Sequence, residues 1–88
     1  MPALLTPGTD AATSAPFTLG ADESVGLYLT GPGRGRRVFG GVVIEREAST
    51  SEWEQVLALP LATVLAAPGT FRARRLAGQP AAVGVDSE

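Results

Sequence analysis

Cysteine, histidine and lysine are all absent from this sequence of 88 residues. The first absence excludes disulfide staples and thiol nucleophiles. The second removes imidazole bases and, with the first, zinc sites built on His or Cys. The third removes Schiff-base lysines and the Lys of a Walker phosphate loop. All seven basic residues are therefore arginine. Charge is also sparse, at 18% of residues with a net of −2, and this acidic balance opposes a nucleic-acid partner. Long apolar runs are missing too. The stretch from Val56 to Ala67 is interrupted by Pro60 and Thr63 and is too short to span a bilayer, so no membrane partner is expected. Met1 to Leu5 has neither the basic region nor the apolar run of a signal peptide. No cofactor motif and no metal-ligand spacing is present, and the chemistry left to the chain rests on carboxylates and arginines.

What is present describes one small domain. Hydrophobic residues make up 44% of the chain and mean hydropathy is +0.16, which suits a globular protein with a thin core. Residues 1–14 read as an extended N-terminal arm. Pro2, Pro7 and Gly8 punctuate them, no period of 2 or 3.6 is visible, and Leu4 and Leu5 are the only large apolar side chains besides Met1. Alone, such a segment is expected to be disordered and to become ordered on a partner, the alternative being that it folds onto its own domain. Leu4, Leu5 and Pro7 are its candidate anchoring residues.

Residues 15–88 punctuate themselves every 8–12 residues, the spacing of an all-β sandwich or barrel. About seven short strands are expected: 15–19, 24–30, 37–45, 53–59, 61–65, 71–76 and 83–85. In the second of these Val25, Leu27 and Leu29 alternate with Gly26, Tyr28 and Thr30, giving one apolar face. Gly40-Gly41 predicts a bulge or a close backbone approach. Segment 52–59 has a competing reading, because Ser51 and Glu54 form a capping-box pattern and Trp53, Val56 and Leu57 fall at helical spacing before Pro60. The punctuation of the rest of the chain favours the strand. Phe17, Tyr28, Phe39, Trp53 and Phe71 each fall in a different expected strand, which predicts a core between two sheets, with Tyr28 set on the opposite face.

Three constellations could carry function. Asp22-Glu23, Glu45 with Glu47, and Glu52 with Glu54 are the paired carboxylates. None has a nucleophile or an oriented acid–base partner beside it, so no catalytic site is expected and a solvated face is the simpler reading. Asp22 and Glu23 also lack calcium-loop spacing. Arg72 and Arg74 share one face of their strand and can pair with acidic residues across a sheet. The loop Gly31-Pro-Gly-Arg-Gly-Arg-Arg37 contains an Arg-Gly-Arg core similar to that of minor-groove arms, but lacks the Pro that follows it there. The plain reading is a flexible hairpin loop whose glycines supply turn geometry; the functional one makes Arg34, Arg36 and Arg37 candidate contacts to acidic groups on a protein partner.

Ala15-Pro-Phe-Thr-Leu-Gly followed by Ser24-Val-Gly-Leu-Tyr-Leu resembles the opening hairpin of small β-sandwich accessory virion proteins of tailed bacteriophages. Trp53 with Val56 and Leu57, Ala67-Pro-Gly-Thr-Phe-Arg-Ala-Arg-Arg, and Val83-Gly-Val-Asp fit the same pattern. The resemblance covers roughly residues 15–86. It departs from the family at Phe71, where Tyr is usual, and in the arginine-rich loop. It implies an immunoglobulin-like antiparallel sandwich without catalytic activity. Such a protein decorates the capsid, anchors a head fibre, or sits at the neck or tail. It also implies location in the virion, assembly in the bacterial host cytoplasm, and capsid or other virion proteins as partners. Homo-oligomerisation is expected besides, since a thin core gains from a shared interface. The alternative is an immunoglobulin-like module that recognises carbohydrate or a cell-surface protein.

Overall fold

The computed structural model describes residues 3–33, 41–79 and 81–88. Over these residues the chain forms nine strands and no helix: β1 (Ala3–Gly8), β2 (Ala12–Thr13), β3 (Phe17–Leu19), β4 (Val25–Thr30), β5 (Val42–Ser49), β6 (Glu52–Ala58), β7 (Ala62–Leu65), β8 (Gly69–Arg75) and β9 (Val83–Ser87). Four strands form a first sheet in the order β1-β9-β4-β7. The other five form a second sheet in the order β2-β8-β5-β6, with β3 also paired to β8. Every pairing is antiparallel. The all-β class expected from the punctuation is therefore what the chain adopts. Segment 52–58 is strand and not helix.

Alternation places the core. Leu27 and Leu29 on β4 point inward with Leu5, Leu65, Val83 and Val85 of the same sheet, while Leu19, Val42, Ile44, Phe71 and Ala73 face them from the second sheet. Leu59, in the link between β6 and β7, is fully enclosed in the same cluster. The rings of Phe17 and Phe71, opposite each other across β3 and β8, lie with centroids 6.0 Å apart. That distance is within the favourable range for aromatic pairs.

The N-terminal segment corrects the expectation of an arm. Ala3–Gly8 is an edge strand of the first sheet, paired to β9, and Ala12–Thr13 pairs with β8 in the second. A boundary between an arm at 1–14 and a domain at 15–88 has no counterpart, because residues on both sides of it belong to the same two sheets. Leu5 opposes Val85 and is only 7% exposed, so its side chain fills the core and is not offered to a partner. Leu4 packs partly against that core, and Pro7 remains exposed on the edge strand. The physical reason is area: a thin core gains more from Leu5 than solvent-exposed freedom returns.

Two buried polar residues fasten this segment. Ser14 bridges β2 and β3 along the edge of β8: its backbone N–H donates to the Ala73 carbonyl at 2.8 Å, and its Oγ accepts from the Ala73 N–H at 2.9 Å. A hydroxyl thus replaces a ladder carbonyl where the edge changes strand. Arg75, 7% exposed, reaches from the end of β8 into the first sheet. Its Nε donates to the Asp10 carbonyl at 2.6 Å, and one Nη donates to the carbonyls of Thr6 at 2.8 Å and Val83 at 2.9 Å. The guanidinium joins β8, β1, β9 and the β1–β2 connection through backbone oxygens alone.

Candidate functional site

The outer face of the second sheet is built by a shift in register. From Ile44↔Leu57 the β5–β6 pairing jumps to Glu45↔Gln55, so Val56 is an extra residue. Without it Trp53, two pairs of residues from the inward Leu57, would point into the core. The bulge turns it over, because a slip of one residue moves every later side chain to the other face. Trp53 therefore stands opposite Glu47 on the outer face and lies outside the core cluster. This corrects the expectation of one core ring per strand. Phe71 and Phe17 keep that role, Tyr28 faces outward on the first sheet, and Phe39 lies outside the described residues.

Glu45 sits at the centre of this face. It opposes Arg72 on one side and Gln55 on the other. One carboxylate oxygen accepts from Arg72 Nε at 2.8 Å and the other from Arg74 Nε at 2.9 Å. The Arg72 guanidinium also lies over the Trp53 ring, with Cζ 4.2 Å from its centroid. Four side chains from three adjacent strands are locked together. Burial raises the pKa of the Glu45 carboxyl, but the hydrogen bonds from Arg72 and Arg74 and their two charges outweigh it and bring the net value below the ordinary one. Val43, on the same face and opposite Arg74, is only 3% exposed, so the layer shields the sheet beneath it.

The unit carries one negative and two positive charges. Each guanidinium meets Glu45 through Nε only, and among the described residues no further hydrogen bond reaches the Nη atoms of Arg72 or Arg74. Those side chains are 27% and 38% exposed. Chemically this is a preorganised pair of donor groups on a flat surface, suited to carboxylates on a protein partner. Among the described residues there is no cavity beside it.

The other sites expected from the sequence are dispersed. Glu23 Oε1 accepts from the Gly20 N–H at 2.6 Å, so that carboxylate closes its own turn. Glu52 and Glu54 are exposed on the edge strand β6. Arg34, Arg36 and Arg37 lie outside the described residues. Tyr28 opposes Asp86 across β4 and β9, and burial together with the charges of Glu88 and Asp86 raises its phenol pKa, which keeps it neutral. Arg75 was not singled out by sequence reasoning. Its inward parity with Phe71 and Ala73 is the signal that could have found it. No protein-family model, curated protein or solved structure matches this chain.

Proposed function

We propose that this protein is a structural, non-catalytic subunit of a tailed-phage particle, with capsid decoration as its first role and head-fibre, neck or tail attachment as the next. An immunoglobulin-like sandwich belongs to the same reading. Its support is the likeness of residues 15–86 to small virion accessory proteins and, above all, the clamped outer face of Trp53, Glu45, Arg72 and Arg74. Docking through a free arm is not part of the proposal, since Leu5 is a core residue. Attachment instead runs through the Nη atoms of Arg72 and Arg74 to carboxylates on a neighbouring virion protein, with Arg34, Arg36 and Arg37 as a second contact. The alternative is a module that recognises carbohydrate or a cell-surface protein; a sugar stacking on Trp53 would find one face of the ring already covered by Arg72.

Co-sedimentation with particles that lack the protein tests this reading. Saturable binding to empty shells, weakening with added salt as a charge-matched contact does, supports decoration. Binding only to tails or tailed particles moves the site to the neck or tail. Absence of binding to all of these overturns the virion reading and turns attention to glycans and cell-surface proteins.

A further inference from the structure

Sheet edges carry unpaired backbone donors and acceptors, and they stay monomeric only where something guards them. Three of the edges described here are guarded. Strand β1 contains Pro7 and slips register against β9 twice. Strand β6 bears Glu52 and Glu54 and is interrupted by two register shifts. The edge along β8 is divided between β2, of two residues, and β3, of three.

The fourth edge, β7, has none of these devices. Its sequence Ala-Thr-Val-Leu has no charge and no proline, and it pairs with β4 in unbroken register from Val25↔Leu65 to Tyr28↔Ala62. Which groups are free follows from alternation. Gly26 exchanges both hydrogen bonds with Glu88 on the β9 side, and Leu29 donates to the Leu61 carbonyl on the β7 side. Leu61, Thr63 and Leu65 therefore turn their backbone groups toward β4, and Ala62 and Val64 turn theirs outward. Val64 is 67% exposed and Leu61, just before the strand, 56%. These are the two most exposed large apolar residues among those described.

We infer that β7 is a self-association edge, on which a second copy of this chain pairs antiparallel about a two-fold axis through Thr63. The occupant is a strand, because among the described residues no partner meets the outward N–H and C=O groups of Ala62 and Val64. A second copy fits because the strand is uncharged and complementary to itself. In this register Ala62 meets Val64 of the second copy, and Val64 meets its Ala62. Each pair exchanges two hydrogen bonds, and a small side chain faces a larger one. Pro60, which has no N–H, ends the ladder on each side. The two first sheets then form one continuous sheet. So short an edge buries little area, and the dimer is weak and concentration-dependent.

Sedimentation velocity over a concentration series of the full chain, combined with amide hydrogen exchange, tests the inference apart from any binding to phage particles. A monomer–dimer equilibrium is expected. The Ala62 and Val64 amides should slow by about fivefold when total protein is raised about tenfold above the dissociation constant, where roughly a fifth of the chains remain monomeric. Val64→Lys places a charge beside the axis, opposite Ala62 of the second copy, and should leave only monomer with unchanged circular dichroism, while Val56→Lys on the β6 edge should dimerise as before. A chain monomeric at every concentration overturns the inference. So does an oligomer that survives Val64→Lys, or one that leaves both amides unprotected.

Discussion

Ser14 Oγ stands in for a carbonyl that the β8 ladder would otherwise lack at Ala73. Ser14→Ala removes that acceptor and leaves a buried N–H unpaired, so a loss of roughly 1–3 kcal/mol is expected. Urea denaturation reads it as a lower midpoint with an unchanged slope. Ser51 presents the opposite case. It is exposed and has φ of 64°, a conformation unfavourable to side chains by about 1–2 kcal/mol. Ser51→Gly relieves that strain at a cost of roughly 0.4–1 kcal/mol in unfolded-chain entropy. A net gain of several tenths of a kcal/mol is expected, and a thermal melt should show it as a small rise in Tm.

At the scale of elements, the clamp across β8, β5 and β6 ties stability to pH. The Glu45 carboxyl has its pKa lowered in the folded state. Its contribution is therefore fully present above the ordinary value of an unfolded glutamate and is lost as pH falls through the lower folded value. Stability measured from pH 6 down to pH 3 should drop more steeply in the parent than in Glu45→Gln, which has no such proton to take up. Strand β1 gives a second expectation. A side chain at Gly84 would collide with the Leu5 carbonyl and would lie 2.7 Å from the Pro7 nitrogen. Gly84→Ala should push β1 off β9, raising amide exchange along Ala3–Gly8 while β5 and β8 stay protected.

These two elements also mark the limits of the sequence. Strands β4, β8 and β9 were legible within a few residues because their apolar positions alternate, and β7 because Pro60 and the turn at Ala67-Pro68-Gly69 bound it. Strand β5, expected at 37–45, runs instead from Val42 to Ser49, since its three consecutive apolar residues set no period. Strand β1 was not legible, since two register shifts and Pro7 break its alternation and leave Leu5 as an isolated apolar residue in polar surroundings. Trp53 was placed on the wrong face because nothing in Glu52–Ala58 announces that Val56 is extra. The pairing of Arg72 and Arg74 with acidic residues across the sheet was readable from parity. Their convergence on Glu45 alone was not, for it depends on which strand lies beside β8.

For the whole molecule, Arg75 is the fastening between the sheets. Arg75→Met keeps much of the side-chain volume and removes the donors to Thr6, Asp10 and Val83. A loss on the order of 3 kcal/mol is expected in chemical denaturation, with only partial recovery in Arg75→Lys, whose ammonium lacks the planar fork. The sheets join strands remote in sequence, a topology that folds slowly. The β1–β9 pairing is the most extreme of them: Leu5 meets Val85 roughly 80 residues later. A ribosome adds about 5–20 residues per second, so β1 waits on the order of ten seconds after its own synthesis before its partner exists. Through that interval the nascent chain carries β1 without the strand that will pair with it.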